Sequence, residues 1–145
     1  MTTRLATRIA VAAGAAALAV GAAAGPASAA SYVDKDTRGC NTTHGCAYGI
    51  AIHYWYKKGS SSRGVSWVDA TKETDSNKAF YARWLYQKPG GKQHVGKSWK
   101  KAKDFGYFME ADWNAAEHKG PVFPKNTKIC IQFKGYSTQL CKTLK

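Results

Sequence analysis

Residues 47–57 read AYGIAIHYWYK, and the alternation within them decides the fold class. Tyr48, Ile50, Ile52, Tyr54 and Tyr56 take every second position, with Gly49, Ala51, His53 and Trp55 between them. A period of two belongs to a strand, whose successive side chains point to opposite faces; β-branched and aromatic residues suit its pleated surface. Gly59-Ser60-Ser61-Ser62 closes the run as a loop.

The pattern repeats toward the C-terminus. Residues 65–71 and 78–87 predict two further strands, the second with Phe80, Ala82, Trp84 and Tyr86 on one face and Tyr81, Arg83 and Leu85 on the other. Pro89-Gly90-Gly91 ends it as a turn, and residues 97–103 read as a short Lys-rich edge strand. Across residues 105–113, Phe105, Tyr107, Met109, Ala111 and Trp113 face one way and Phe108, Glu110 and Asp112 the other. Residues 114–119 are expected to make one helical turn before Pro121 and Pro124.

The last hairpin follows from arithmetic. With Gly135-Tyr136 as a two-residue loop, Lys134 pairs with Ser137 and every pair sums to 271, as Cys130 and Cys141 also do. Glycine first in the loop is the requirement of a type II′ turn, so turn chemistry and cysteine positions choose one register independently. Counting inward puts the two cysteines at a hydrogen-bonded pair, with Cα atoms about 5.5 Å apart, a span that a disulfide can bridge. The reading is all-β: a small antiparallel β-sandwich, or partly open barrel, of six to eight strands stapled by disulfides.

Residues 1–30 read as a cleavable secretory signal peptide. Arg4 and Arg8 start it, residues 9–24 are an uncharged apolar run, and Pro26 precedes the small residues Ala27-Ser28-Ala29-Ala30. The expected product is secreted and extracellular, with no membrane span once the leader is cut. Four cysteines then remain, Cys40, Cys46, Cys130 and Cys141. In an exported domain of this size two disulfides are the default, and Cys40–Cys46 with Cys130–Cys141 is the favoured pairing of three. A zinc site on Cys40, His44 and Cys46 would lack a fourth ligand.

Cleavage removes two arginines and no acid, leaving 20 basic and nine acidic residues, net +11. Seventeen of the 20 are lysine, against Arg38, Arg63 and Arg83. Lysine is a hydrated point charge without the planar fork that reads bases and phosphates. The composition therefore speaks for weak association with anionic cell-wall polymers and against specific nucleic-acid recognition.

Residues 31–39 (SYVDKDTRG) are polar and aperiodic. Residues 31–45 are thus expected to form a flexible arm with a small disulfide loop, ahead of a sandwich domain over residues 46–145. Such an arm can add as a strand to a partner protein, and Ser31, Tyr32, Val33, Lys35 and Arg38 are its candidate contact residues.

Catalytic patterns are sparse. His44, His53, His94 and His118 fall into no HxH or HExxH spacing, and Gly-x-Ser-x-Gly is missing. Glu110 and Asp112 would stand about 7 Å apart on one strand face, near the separation of a retaining glycosidase. His53 could meet Glu110 across the sheet, as in a ribonuclease pair. Two acids on the solvent face of a strand in a Lys-rich protein are usually no more than that, and no spacing requires His53 to meet Glu110, so no catalytic residue, metal or cofactor is assigned. Five Trp, eight Tyr and five Phe are more rings than a thin core takes, and some are expected at an interface.

In size, Ala-rich leader, basic charge and β-rich build, the chain resembles small secreted actinomycete proteins. One such class is the linker subunit of the Streptomyces umbrella toxin particles, which joins a lectin-bearing subunit to a large repeat-containing toxin protein. The resemblance implies a structural adaptor without enzymatic activity, in a complex that acts on competing bacteria. A stand-alone antibacterial protein or bacteriocin, a secreted nuclease or wall glycosidase, and a protease inhibitor are the alternatives.

Overall fold

The computed structural model describes residues 31–42, 45–73 and 79–145. The expected signal peptide and His44 lie outside these residues. Ten strands run through them: β1 Tyr32–Cys40, β2 Tyr48–Lys57, β3 Ser62–Glu73, β4 Tyr81–Gln87, β5 Gln93–Lys101, β6 Lys103–Asp104, β7 Phe108–Asn114, β8 Val122–Pro124, β9 Lys128–Phe133 and β10 Gln139–Thr143. All pairings are antiparallel. One sheet has the order β1-β2-β3-β7-β6, with β8 also on β3; the other has the order β10-β9-β4-β5. The protein is a disulfide-stapled all-β sandwich. Its ten strands exceed the six to eight expected because β6 and β8 are too short to show a period, and β1 shows none.

The core lies where the alternation places it. Ile50, Ile52 and Tyr54 of β2 and Val68 and Ala70 of β3 meet Ala82 and Trp84 of β4 and Ile129, Ile131 and Phe133 of β9, all buried. Residues 105–113 are a shorter strand than expected. Met109 and Ala111 are buried, but Phe105 and Tyr107 are exposed and precede β7. Residues 115–119 form a tight turn in place of the expected helical turn, with the Lys119 N–H donating to Ala116 O at 2.9 Å. His118 there has φ 53° and Gly120 φ 105°, left-handed conformations that stop helical propagation.

The final hairpin keeps the register sum of 271, pairing Gln132 with Gln139 through to Lys128 with Thr143. Its turn differs. Gly135 (φ 86°) is third in a turn closed by the Tyr136 N–H on Phe133 O, 3.1 Å, so the positive φ falls where type II turns need it and not where type II′ turns do. The disulfides are Cys40–Cys46 and Cys130–Cys141. The Cα atoms of Cys130 and Cys141 are 4.0 Å apart, the close spacing of a non-hydrogen-bonded pair and not the wider one expected. Two disulfides suit an oxidising compartment. Among the described residues no helix is long and apolar enough to cross a membrane.

Candidate partner-binding surface

Residues 31–39, expected to be a flexible arm, are a strand of the sandwich. β1 pairs with β2 without a register shift over nine residues, from Tyr32 opposite Lys57 to Cys40 opposite Gly49. Side chains fasten it. His53 of β2 has Nδ1 2.8 Å from Asp36 Oδ1 and Nε2 3.4 Å from Asp34 Oδ1. His118, in the turn after β7, reaches the same Asp34 carboxylate at 3.1 Å. Tyr32 stacks on His118 with ring centroids 4.1 Å apart and meets Trp55 edge-on at 5.2 Å. Polarity made this segment look unstructured; the two aspartates find their partners only in the folded chain.

The expected contact residues divide accordingly. Tyr32 is partly engaged with Trp55 and His118, and Val33 is half-buried. Ser31, Lys35 and Arg38 are exposed. β1 ends its sheet, so among the described residues its other edge carries no strand.

Behind β1, the outer face of the same sheet forms an open cleft of about 580 Å³. Gly49 and Ala51 of β2 supply a floor of minimal side chains, Arg38 stands on the β1 side, and Trp67, Asp69, Phe108 and Glu110 rise opposite. Register explains the grouping. Arg38 pairs with Ala51, Ala51 with Asp69, and Asp69 with Asp112, so these four form one row across the sheet. Glu110 stands one row away, opposite Thr71. Partial burial, with Glu110 and Asp112 close by, raises the Asp69 carboxyl to about 6, against the lowering effect of Arg38. Asp112 is compensated by the Lys100 and Lys103 ammoniums, at 3.4 and 3.8 Å, and by the Asn114 amide, which donates to it at 2.9 Å.

Of the two arrangements open to the sequence, the His53–Glu110 pair does not form, whereas Glu110 and Asp112 stand on one face of β7. His53 lies in the row of Asp36, Trp67 and Asn114, with β3 between it and β7, and its ring nitrogens face Asp34 and Asp36, not Glu110. Glu110 and Asp112 line one opening with Asp69, Trp67 and Lys103, and Asp112 is also held by Lys100. Asp69 and Trp67 are site residues that sequence reasoning missed. Their signal was present: Val68 and Ala70 alternate with Trp67, Asp69 and Thr71, which marks the second set as outward. Among the described residues, no group of three or more His, Cys, Asp or Glu is arranged to hold a metal ion.

Comparison with protein-family models, with curated proteins and with solved structures yields no match.

Proposed function

We propose that this chain is an exported, non-enzymatic interaction module that takes a secreted protein partner along the free edge of β1, with the cleft behind it receiving side chains of that partner. In this reading it serves as an adaptor or component of an extracellular toxin complex directed at competing bacteria. The observation that carries the reading is the character of the β1 edge. The other edges are protected: β5 has two register shifts and Lys97, Lys100 and Lys101, β10 has five residues, β8 has three, and β6 has two. β1 offers nine residues without a shift. An incoming strand would gain backbone hydrogen bonds there. The charges Asp34, Lys35, Asp36 and Arg38 oppose indiscriminate pairing and select a strand of complementary pattern. His53 turns both ring nitrogens to Asp34 and Asp36 of β1 and away from Glu110, which supports a role in holding β1 rather than in catalysis.

Recovery of partners from culture supernatant with the tagged chain tests this, using Lys35→Pro and Asp36→Pro. Backbone groups of consecutive strand residues point to opposite edges, so one of these prolines blocks the free edge and the other breaks pairing with β2. The variant that keeps its melting temperature should lose the partner. Equal recovery by both variants and the unmodified chain would refute edge docking. A lone protein that degrades RNA or lyses cells would refute the adaptor reading.

A further inference from the structure

Two β-bulges meet between the sheets. In β3, Val65 pairs with Tyr54 and Trp67 with His53, which leaves Ser66 as the extra residue. The bulge turns Ser66 inward, so that Val65 and Ser66 are both buried although they are neighbours in a strand. In β5, Lys97 pairs with Trp84 and Val95 with Leu85, which leaves Gly96 as the extra residue. A Cβ on Gly96 would come within 2.2 Å of the Trp84 ring, so the second bulge and its glycine set where that indole lies.

The bulges border a cavity of about 120 Å³ between β3 and β7 of one sheet and β4 and β5 of the other. The turn of residues 115–121 closes one side. Gly120, at φ 105°, packs so near β3 that a Cβ would meet Val65 O at 2.2 Å. Val68, Trp113 and Pro121 give apolar walls, and the exposed Lys97 contributes to the lining. Two buried polar atoms belong to lining side chains and have no hydrogen-bond partner: Ser66 Oγ and Trp84 Nε1, on residues 5% and 3% exposed. Leaving such groups unmet is costly, and of the four such atoms among the described residues, the others being Trp55 Nε1 and Thr127 Oγ1, these two sit on one cavity.

Donors prevail in the lining; Asn114, which also borders the cavity and carries an amide oxygen, gives an amide hydrogen to Asp112. An indole N–H and an ammonium only donate, and a hydroxyl can donate. The nearby carbonyls are already engaged: Pro121 O accepts from Val65 N–H, and Ser66 O accepts from Ala115 N–H. We infer that this cavity binds a carboxylate on a short apolar stem, with Trp84 Nε1–H and the Ser66 hydroxyl donating to its oxygens and Lys97 supplying the counter-charge. The volume is that of about four waters, which fits a carboxylate with one to three carbons behind it. A free short-chain acid and the terminal carboxylate of a peptide share this chemistry. The strongly basic chain draws either one in. The inference does not rest on the reading of β1, which lies at the far edge of its sheet.

The test follows the Trp84 indole N–H by ¹H–¹⁵N NMR in the folded, disulfide-bonded chain. It is titrated with acetate and propionate, with acetyl-Gly-Ala bearing a free carboxylate, and with its C-terminal amide, against chloride at equal ionic strength. A saturable shift with a carboxylate, not reproduced by chloride or the amide, is expected. Saturation by the small acids assigns a free acid as ligand; saturation by the peptide acid alone assigns a partner's C-terminus. Ser66→Ala should weaken binding roughly tenfold or more. Lys97→Gln, on an exposed side chain that leaves folding intact, should weaken it as well. No saturable shift with any carboxylate, an equal response to chloride, or unchanged affinity in Lys97→Gln would overturn the inference and leave the cavity a water site.

Discussion

Deleting residues 31–38 should destabilise the domain substantially, although by sequence the same segment reads as a flexible arm outside the sandwich. The deletion removes seven cross-strand pairs, Tyr32–Lys57 through Arg38–Ala51, and uncovers one edge of β2. At roughly 0.5 kcal/mol for each pair, that is about 3–4 kcal/mol. The packing of Tyr32 on His118 and Trp55 adds about 1 kcal/mol. The aspartate–histidine contacts are solvent-accessible and add little. A loss of about 4–5 kcal/mol is a large share of the stability of a domain this size, about 5–15 kcal/mol in all. At about 4 °C per kcal/mol, the melting temperature should fall by about 16–20 °C. Thermal unfolding at pH 7 with both disulfides intact measures the fall, and hydrogen exchange should show β2 amides losing protection. A melting temperature within about 2 °C of the full chain, with β2 protection unchanged, would refute the integral role of β1.

Two further outcomes follow from the geometry. Non-reducing peptide mapping should find Cys40 joined to Cys46 and Cys130 to Cys141. Replacing Cys130 and Cys141 by alanine should cost up to about 2.8 kcal/mol by loop closure at a separation of 11 residues, and any cross-pairing in the map would contradict the register. The Asp69 carboxyl has its pKa raised from 3.8 to about 6, so between these values the folded state holds a proton that the unfolded state has lost. Its contribution to stability is therefore full below about pH 4 and is lost as pH rises through 6. Asp69→Asn should raise the melting temperature at pH 7 and lose that advantage toward pH 4, and an equal effect at both pH values would contradict the assignment.

Much of the fold is a local property of the chain and could be read directly. Alternation in residues 47–57 put Ile50, Ile52 and Tyr54 in the core, because side-chain direction in a strand depends only on parity. The sum shared by Cys130 and Cys141 placed the last hairpin in register, even though its turn forms one residue earlier than expected. Parity also held the clue to the cleft, since Trp67 and Asp69 alternate with Val68 and Ala70. What parity does not carry is which strands become neighbours. The row Arg38, Ala51, Asp69 and Asp112 draws on four strands and exists only in the assembled sheet. β1 was invisible for the same reason: its polar residues have no period, and it is ordered by an edge of β2 and by His53 and His118, the latter 84 residues from Asp34. The bulges at Ser66 and Gly96 break parity in their strands, so no periodic reading points Ser66 inward. Strand identity and pairing chemistry are short-range and were written in the sequence. The free edge, the cleft and the cavity between the sheets arise from long-range closure, and only the tertiary structure decided them.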